Sequence, residues 1–427
     1  MKRRTYLATA GVLTLGGCMG FGETDGDGGD DPDNASSSDD GTDDTGSDET
    51  GSDDTGSDDT SDEPTEDPLE AETFDDFESL SQWRVISGSA SAYPDYSVTG
   101  SQSVLLEADE PESQVRMVRE LEDPIDCTDL MPGLAIAAHS ATNIGIQLYD
   151  EDRDKAVYRQ RVHGMSIRHV NFGLEYFEGE PDLSAVTEIH ISIWTGDGVA
   201  EAWIDDLTFV SSPETAVMLH FDGAYESHYE DALPLLEEYD YPATAFVPTA
   251  RLREEASHEG SRLTYDQVEA LADAGWTIGS YAAHGNALTS LEGGRTPESE
   301  IEGGYEWLED QGYDGSAYLA YPSGSFNDDV IDAAADRHEV AFMSGYTGHG
   351  AVTNPTLCPR LVQPDASDVE HTLDMATGLG GVVTIAFGDV ADHFDHVEAI
   401  LSQIQALEED GSISVITPAD LAGEYIL

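Results

Sequence analysis

The stretch that decides the fold is residues 216–223, which read Ala-Val-Met-Leu-His-Phe-Asp-Gly. A mostly apolar run that ends in an acidic residue and a glycine predicts a strand buried on both faces and closed by a turn. Residues 229–239 follow with apolar side chains at helical spacing, and residues 242–247 form a second apolar run. A strand, a helix and a strand in this order predict a parallel sheet or barrel. Functional side chains are then expected at the C-terminal ends of the strands.

The same alternation continues to the end of the chain. Short apolar runs predict strands, and segments with apolar residues three and four apart predict helices. Residues 213–427 are therefore expected to form one α/β domain. The further predicted strands are 276–279, 317–321, 382–387 and 414–416, and the further predicted helices are 265–274, 298–311, 328–337 and 396–408.

Four short motifs in this region give it a family resemblance. In chain order they are residues 220–224 (His-Phe-Asp-Gly-Ala), 243–247 (Ala-Thr-Ala-Phe-Val), 275–279 (Gly-Trp-Thr-Ile-Gly) and 321–327 (Tyr-Pro-Ser-Gly-Ser-Phe-Asn). Their order and texture resemble the NodB-type polysaccharide deacetylases. The resemblance implies a distorted (β/α) barrel over residues 213–427 that acts on a polysaccharide.

The resemblance also implies a divalent metal such as zinc, held by one Asp and two His. A second Asp would act as the base, and a late His would act as the acid. Asp222 matches the base, which makes it the candidate catalytic residue. Gly223 stands where the family has its metal-ligating Asp, Tyr281 and Gly285 stand at the two His positions, and Gly388 aligns with the late His. The motif is therefore depleted.

Other residues of the same motifs are assigned by resemblance. His284 lies one residue from the second His position, so it is the candidate metal ligand. Tyr321 and Pro322 open the fourth motif and are candidates for substrate binding. Arg360 resembles a family Arg that orients the base carboxylate, and it could equally be a surface Arg.

A rebuilt metal site is the alternative to a depleted one. His220 directly precedes the first motif, and His228 and His284 could also approach Asp222. Three His near one Asp would suit zinc. The opposing interpretation is that these are packed or surface histidines, since no two His share one element at a ligand spacing.

Residues 71–211 have a different texture. Short alternating runs such as 103–106, 145–149 and 188–194 are separated by Gly, Ser, Pro and Asp, which predicts an all-β sandwich. Its first and last strands resemble those of jelly-roll carbohydrate-binding modules. Four aromatic residues could stack on sugar rings or pack in the core, and the Asp205-Asp206 pair could bind calcium or end a solvated strand. The aromatic residues are Trp83, Tyr93, Tyr96 and Trp194.

The first 70 residues predict export and tethering. Residues 1–20 combine a basic start containing Arg3-Arg4, which resembles a twin-arginine signal, with an apolar run too short to span a bilayer. The run ends in Leu-Gly-Gly-Cys, which resembles a lipobox with Cys18 as the lipidated residue. Residues 21–70 repeat Asp-Asp-Thr-Gly-Ser and predict a disordered acidic stalk. The expected location is the extracellular face of the membrane, with a lipid anchor.

Charge narrows the possible partners. The chain carries 88 Asp and Glu against 17 Lys and Arg, a formal net charge of −71. Such an excess self-repels in dilute buffer and is screened in concentrated salt, so it indicates a halophile-like protein. No basic stripe exists to meet phosphates, which excludes nucleic acid as an expected partner.

Three functional hypotheses follow. The first is a deacetylase-like protein acting on N-acetylated cell-surface glycans. The second is a non-catalytic, glycan-binding lipoprotein with an eroded site, which the missing ligands favour. The third is a purely structural surface lipoprotein.

Overall fold

The computed structural model describes residues 69–109, 113–196, 198–255, 262–345 and 347–427, which lie in one compact unit, Glu66–Leu427. Its N-terminal part contains two six-stranded antiparallel sheets. One has the order β3-β4-β12-β6-β9, with β1 also on β12, and the other has the order β10-β8-β7-β11-β5-β2. The strands are β1 Ala71–Asp75, β2 Arg84–Ser87, β3 Ser89–Tyr93, β4 Ser103–Ala108, β5 Gln114–Ile125, β6 Leu130–Ala138, β7 Thr142–Tyr149, β8 Lys155–Val162, β9 Met165–Val170, β10 Gly173–Glu178, β11 Val186–Trp194 and β12 Ala200–Ser211.

The two sheets bury their facing side chains in a shared hydrophobic cluster. On β12, Ala202 and Ile204 are fully buried in it, and on β11 Ile191 and Ile193 are. Alternate residues of a strand point to opposite faces, so this spacing of two directs one face of each sheet inward. The predicted all-β architecture of this region is confirmed.

The second part of the structure is a closed parallel barrel. Seven strands run in the order β13 to β19, and β13 pairs with both β14 and β19, which closes the sheet. A short eighth strand pairs with the beginning of β13. The predicted distorted (β/α) barrel is confirmed. The strands are β13 Ala216–Asp222, β14 Thr244–Val247, β15 Thr277–Ser280, β16 Tyr318–Ala320, β17 Val340–Ser344, β18 Cys358–Val362, β19 Val382–Phe387 and β20 Ser414–Val415.

Helices connect most of the barrel strands. Two of them begin at sequence-readable caps: Thr264 and Thr296 each accept a hydrogen bond from the backbone N–H three residues later. In the described part of the β17–β18 connection there is only a 3₁₀ turn, Pro355–Leu357, so the barrel is irregular there. The helices are α1 Leu233–Tyr239, α2 Tyr265–Asp273, α3 Pro297–Gln311, α4 Asp328–Ala335, α5 Ala366–Leu379, α6 Phe394–Glu409 and α7 Pro418–Glu424.

Side chains of strand β13 alternate between the outside and the inside of the barrel. Val217, Leu219 and Phe221 pack outward against the helices, in a cluster that includes residues of α1, α2, α5 and α6. Met218 belongs to the cluster inside the barrel. Because side chains alternate along a strand, Asp222 lies on the inner face, at the C-terminal end of β13.

The barrel and the sheets are joined by buried polar contacts. Asn171, only 2% exposed, follows β9 and donates from Nδ2 to the carbonyls of Asn354 and Leu357 at 2.8 and 3.1 Å. Its Oδ1 accepts from the backbone N–H groups of Thr353 and Asn354 and from the Thr353 hydroxyl. A satisfied, buried amide of this kind fixes one geometry, because any shift would leave its polar atoms without partners.

The predicted signal peptide, Cys18 and nearly all of the stalk lie outside the described residues. Leu69 and Glu70 are described, and the Glu70 carbonyl accepts a hydrogen bond from the Ser211 N–H at 2.9 Å. Among the helices that the structure describes, none combines the length and the apolar character needed to cross a bilayer.

Candidate functional site

A cavity of about 470 Å³ opens at the C-terminal mouth of the barrel. Its walls come from the ends of β13, β14, β15, β18 and β19 and from the loops that follow them, as expected for a barrel of this class. The lining residues are Asp222, Gly223, Tyr225, Pro248, Arg251, Arg262, Tyr281, His284, Gly285, Ser323, Val362, Gln363, Phe387, Gly388 and Asp389.

Asp222 lies at the floor of this cavity and is held by Arg360. The two guanidinium nitrogens Nη1 and Nη2 each donate to one carboxylate oxygen of Asp222 at 2.8 Å. Arg360 is 1% exposed, and its guanidinium also lies 5.6 Å from the ring centroid of Phe246. Of the two interpretations of Arg360, surface residue or partner of the carboxylate, the structure therefore supports the second. The bidentate pair fixes the orientation of Asp222.

Gly223 adopts a backbone conformation that disfavours any side chain. Its φ is +96°, and a Cβ atom there would lie 2.9 Å from Tyr225 Cε2 and 3.0 Å from Arg262 Nη1. Arg262 donates from Nη1 to the Gly223 carbonyl, and its guanidinium stacks 4.1 Å from the Tyr225 ring centroid. A guanidinium therefore packs beside the position where the resemblance implies a metal-ligating carboxylate.

Tyr281 and Gly285 occupy the two positions at which the resemblance implies histidines. Burial, and secondarily the charge of Asp222, raise the pKa of Tyr281 to about 12, so the phenol stays protonated at neutral pH. Its oxygen accepts from the Ser323 N–H at 3.2 Å. Gly285 has a φ of +62°, and a Cβ there would lie 3.0 Å from Pro248 Cβ. The pair supplies no imidazole.

His284, the candidate metal ligand, is held at the rim of the cavity by Glu300. Its Nδ1 lies 3.0 Å from Glu300 Oε1, and its backbone N–H donates to Oε2 at 3.0 Å. Glu300 is 2% exposed, and its Oε1 also accepts a hydrogen bond from Arg295 Nη1 at 3.2 Å. A carboxylate can only accept, so the Nδ1–H of His284 donates to it and Nε2 is the nitrogen left for a ligand.

The position of the implied late histidine is filled by Gly388 and its neighbours. His228 is fully buried and donates from Nε2 to the Gly388 carbonyl at 2.8 Å; burial lowers its pKa to about 4. A Cβ at Gly388 would lie 2.9 Å from Gln363 Nε2. The Gln363 amide therefore takes the space that a side chain at residue 388 would need.

His220 does not reach the cavity. It points into the barrel and is fully buried, with its ring edge-on to Phe246 and Phe342 at centroid distances of 4.9 and 4.6 Å. Neither ring nitrogen has a hydrogen-bond partner among the described residues. Burial, and secondarily the charge of Arg360, hold its pKa well below the usual value. His220 and His228 are thus packed histidines, and the hypothesis of a site rebuilt from His220, His228 and His284 is not supported.

The residues at the mouth do not fit a divalent metal. The guanidinium of Arg262 lies beside Gly223, where the resemblance implies a ligand carboxylate, and Tyr281 and Gly285 supply no imidazole. Within the described ranges, no group of three or more His, Cys, Asp or Glu side chains is arranged to hold a metal ion. Of the implied ligands and acid–base groups, Asp222 is the one that this sequence keeps.

Tyr321 and Pro322, the predicted substrate-binding residues, do not line the cavity. Tyr321 is fully buried, and its hydroxyl donates to the Thr356 carbonyl at 3.0 Å. Pro322 is buried as well. The residue of this motif that reaches the cavity is Ser323, which has a φ of +59°. Of this motif, Ser323 therefore lines the cavity, whereas Tyr321 and Pro322 are buried.

Two further cavities continue the first one across the surface. A cavity of about 300 Å³ shares Gln363, Phe387, Gly388 and Asp389 with it. Another of about 570 Å³ shares Val362 and Gln363 and extends to Tyr176 on β10 of the antiparallel part. The three cavities, here called the mouth groove, meet at Gln363.

The aromatic residues of the sheets that were candidates for stacking on sugar rings lie in different surroundings. Trp83 is 8% exposed, and its Nε1 donates to Asp75 at 2.8 Å, which is core packing. Tyr93 and Tyr96 stack on each other at 5.8 Å and cover Trp203. Trp194 is half-buried and lies beneath the guanidinium of Arg159.

The Asp205-Asp206 pair is not a solvated strand end. Asp205 is fully buried and accepts from the Val98 and Thr99 N–H groups, while Asp206 is 6% exposed and accepts from Thr73. His169 lies 3.0 Å from the Asp206 carboxylate. The pair anchors neighbouring segments.

Arg251 and Arg262 are cavity residues that the sequence motifs do not reveal. Neither belongs to a matched motif. The uneven distribution of basic residues could have indicated them. The chain has only 17 Lys and Arg in 427 residues, and three of these, Arg251, Arg253 and Arg262, fall within a short segment.

Part of the barrel region is similar in sequence to a known protein family. Residues 210–339 match the polysaccharide deacetylase family, which confirms the resemblance for that part of the chain. A poly-beta-1,6-N-acetyl-D-glucosamine N-deacetylase of Staphylococcus epidermidis is 28% identical over 129 residues, which is 28% of this chain and 45% of that protein. The chain thus spans less than half the length of the curated relatives that it matches.

Two of the solved structures that match this chain have low identity and low TM-scores. A deacetylase of Streptococcus pyogenes in complex with acetate has 22% identity and a TM-score of 0.32, covering 37% of this chain and 69% of its own. A CE4 family pseudoenzyme from Bacillus anthracis has 16% identity and a TM-score of 0.35, covering 50% of this chain and 67% of its own.

Proposed function

We propose that this protein is a polysaccharide deacetylase-like protein that binds N-acetylated glycan at its barrel mouth without metal-dependent deacetylation. The match of residues 210–339 to the deacetylase family supports a polysaccharide ligand. One observation carries the non-catalytic part: the guanidinium of Arg262 packs beside Gly223, where a metal-ligating carboxylate is implied, in a mouth where the described residues offer no metal cluster.

The mouth keeps groups suited to a polyol. Gln363 contributes an amide, Tyr281 a phenol that stays protonated, and Ser323 a hydroxyl. These are neutral donors and acceptors that match sugar hydroxyl and acetamido groups. The residue types that a metal-dependent hydrolase of this family needs are replaced at Gly223, Tyr281, Gly285 and Gly388.

The proposal is tested on the full chain, purified in concentrated KCl, by three measurements. Metal content is determined after dialysis against zinc, cobalt or nickel. Acetate release is measured with N-acetylglucosamine oligomers, and their binding is followed by titration calorimetry. We expect substoichiometric metal, no acetate and saturable binding. An absence of binding would overturn the proposal.

A steric variant connects the binding to the mouth groove. Val362 is 43% exposed and lies where the cavities of about 470 and 570 Å³ join, so Val362→Trp should fill the groove without disturbing the core. We expect loss of glycan binding. The matched control is Val85→Trp, at a position that is 37% exposed on β2. Equal binding by both variants would remove the groove from the proposal.

A catalytic deacetylase is the second candidate, and the retained Asp222 with its Arg360 partner favours it. It requires stoichiometric metal, acetate release and loss of that release in Asp222→Asn. The same three measurements therefore decide between the two candidates.

We further propose that the protein is exported and held at the outer face of the membrane through Cys18. The basic start, the short apolar run and the terminal Leu-Gly-Gly-Cys of residues 1–18 support this. One acyl chain gives only reversible attachment, so a stable tether needs more than one lipid signal. In a Cys18→Ser variant, we expect the protein to move from the membrane fraction to the medium. Retention of that variant on the membrane would overturn the lipid anchor.

A further inference from the structure

We propose that the barrel mouth selects an acidic sugar, with Arg262 and Arg251 binding a carboxylate or sulfate group on the glycan. This inference rests on the proposed function, because it names the chemical class of the glycan bound there. It comes from the feature that excludes a metal: the guanidinium of Arg262 packs beside Gly223.

Arg262 is held in a defined position. Its Nη1 donates to the Gly223 carbonyl, its guanidinium stacks on Tyr225, and its own carbonyl accepts from Arg253 Nη2. A guanidinium has five N–H donors, and the contact with Gly223 uses Nη1. A cation fixed in this way loses little conformational entropy when it binds an anion, since the planar fork is already oriented.

Arg251 adds a second cation to the same cavity. It follows β14, and its Nη2 donates to Asn286 Oδ1 at 3.1 Å. Oxyanions of sugars, whether carboxylates or sulfates, are bound well by paired guanidinium groups through charge-assisted hydrogen bonds.

The charge balance at the mouth differs from that of the whole chain. The lining contains the guanidinium groups of Arg251 and Arg262 and the carboxylates of Asp222 and Asp389, and Asp222 is paired with the buried Arg360. Since the chain has a formal net charge of −71, a mouth with as many cations as carboxylates departs from the average composition of the chain. Cations in a cleft attract ligands of the opposite sign.

The two carboxylates of the cavity are already engaged by the protein. Asp222 accepts from Arg360 through both oxygens. Asp389 accepts from the Ser227 hydroxyl at 2.7 Å and from the Ala391 N–H at 3.2 Å. Their charges are therefore partly compensated, and an incoming anion meets Arg262 and Arg251 as the cations that reach the cavity.

The experiment compares matched oligosaccharides at one salt concentration. The probes are a hyaluronan oligosaccharide, its carboxyl-reduced neutral form, and a neutral N-acetylglucosamine oligomer with and without sulfate esters. Titration calorimetry is performed with the full chain, with Arg262→Gln and Arg262→Lys, with Arg251→Gln, and with Arg337→Gln as the control. Arg337 pairs with Glu302 on the barrel exterior, so it matches the substitution away from the mouth.

We expect the carboxylated probe to bind at least about tenfold more tightly than its reduced form, as a charge-assisted hydrogen bond to a fixed guanidinium predicts. Arg262→Gln should remove most of that difference, Arg262→Lys should retain part of it, and Arg337→Gln should leave it unchanged. Comparison of the carboxylated and sulfated probes identifies which oxyanion the site prefers. Because Arg262→Gln could disturb the loop, its circular dichroism spectrum and melting temperature are measured, and Arg251→Gln provides an independent test.

Equal binding of charged and neutral probes would overturn this inference and leave glycan binding intact. A charge preference that survives both Arg262→Gln and Arg251→Gln would place the anion elsewhere and would also overturn it. Failure of every probe to bind would instead overturn the proposed function itself.

Discussion

Arg360 on β18 reaches across β19 to hold both carboxylate oxygens of Asp222 on β13, each at 2.8 Å. Asp222→Leu leaves a guanidinium that is 1% exposed and cannot lose its proton, so we expect a loss of about 3–5 kcal/mol of unfolding free energy. Arg360→Leu should cost less, because Asp222 borders the cavity and can be hydrated. The double variant should be more stable than Asp222→Leu alone. Urea denaturation measures all three, and a cost below about 1 kcal/mol for Asp222→Leu would contradict a buried pair.

Restoring the implied ligand residues should not restore tight metal binding. Gly223→Asp places a side chain at a φ of +96°, with its Cβ 3.0 Å from Arg262 Nη1. We expect that change alone to cost about 1–3 kcal/mol. A Gly223→Asp, Tyr281→His, Gly285→His variant should bind zinc weakly, and adding Arg262→Ser should strengthen zinc binding because a neighbouring cation is removed. Tight zinc binding by the triple variant would show that Arg262 does not oppose a metal.

Buried histidines should make the protein sensitive to mild acid. Burial lowers the pKa values of His228, His338 and His349 to about 4, and that of His220 also falls. Unfolded histidine titrates near about 6.5, so between pH 6.5 and 4 the unfolded chain binds more protons and stability falls as the pH falls.

This acid sensitivity is measured as the unfolding free energy between about pH 7 and 5, above the range in which most carboxylates titrate. His349→Gln should reduce the slope by up to about 1.4 kcal/mol per pH unit, because one titrating group is removed. Val85→Trp changes an exposed, non-titrating side chain on β2 and should keep the parent slope. An unchanged slope in His349→Gln would contradict the buried, neutral assignment of that residue.

Stability should rise with salt. The formal net charge of −71 makes repulsion between carboxylates a large opposing contribution in dilute buffer. The Debye length falls from about 10 Å at 0.1 M to about 3 Å at 1 M, so KCl should raise the melting temperature over this range. Chloride is preferable to sulfate, which also strengthens apolar burial by exclusion. A flat or falling melting temperature would argue against adaptation to high salt.

The mouth groove predicts a dependence on glycan length. Tyr176 lines the cavity of about 570 Å³, which meets the mouth at Val362 and Gln363. Tyr176→Ala should therefore weaken the binding of long oligosaccharides and leave that of disaccharides unchanged. The calorimetric comparison of the two lengths tests it, and an equal loss for both would mean that Tyr176 acts on the mouth itself.

Local patterns predict the regular elements well. The predicted strand 382–387 coincides with β19, and the predicted helix 298–311 begins one residue after α3 does. Strands β17 and β18 and helices α5 and α7 are not predicted. Strand β18 contains Pro359, a residue typical of sheet edges, yet it pairs with strands on both sides. Barrel closure overrides the local preference there.

The site is less predictable than the fold, because its residues come from distant parts of the chain. Asp222 follows from its motif, and the resemblance also offers Arg360 as its partner. A surface Arg stayed an equal alternative, because the two residues lie 138 positions apart and only the adjacency of β18, β19 and β13 brings them together. Tyr321 matches the motif and yet is buried, with its hydroxyl bonded to the Thr356 carbonyl, whereas Ser323 two residues later lines the cavity. Arg262 belongs to none of the matched motifs. Its place in the cavity is known only from its contact with Gly223 in the structure.

The buried amide of Asn171 also determines how this gene can be divided. A cut near residue 212 would separate Asn171 from Thr353, Asn354 and Leu357 and would leave its Nδ2 and Oδ1 without those partners. We therefore expect the sheets and the barrel to lose stability when they are expressed separately, and a substitution in one part must preserve these contacts with the other.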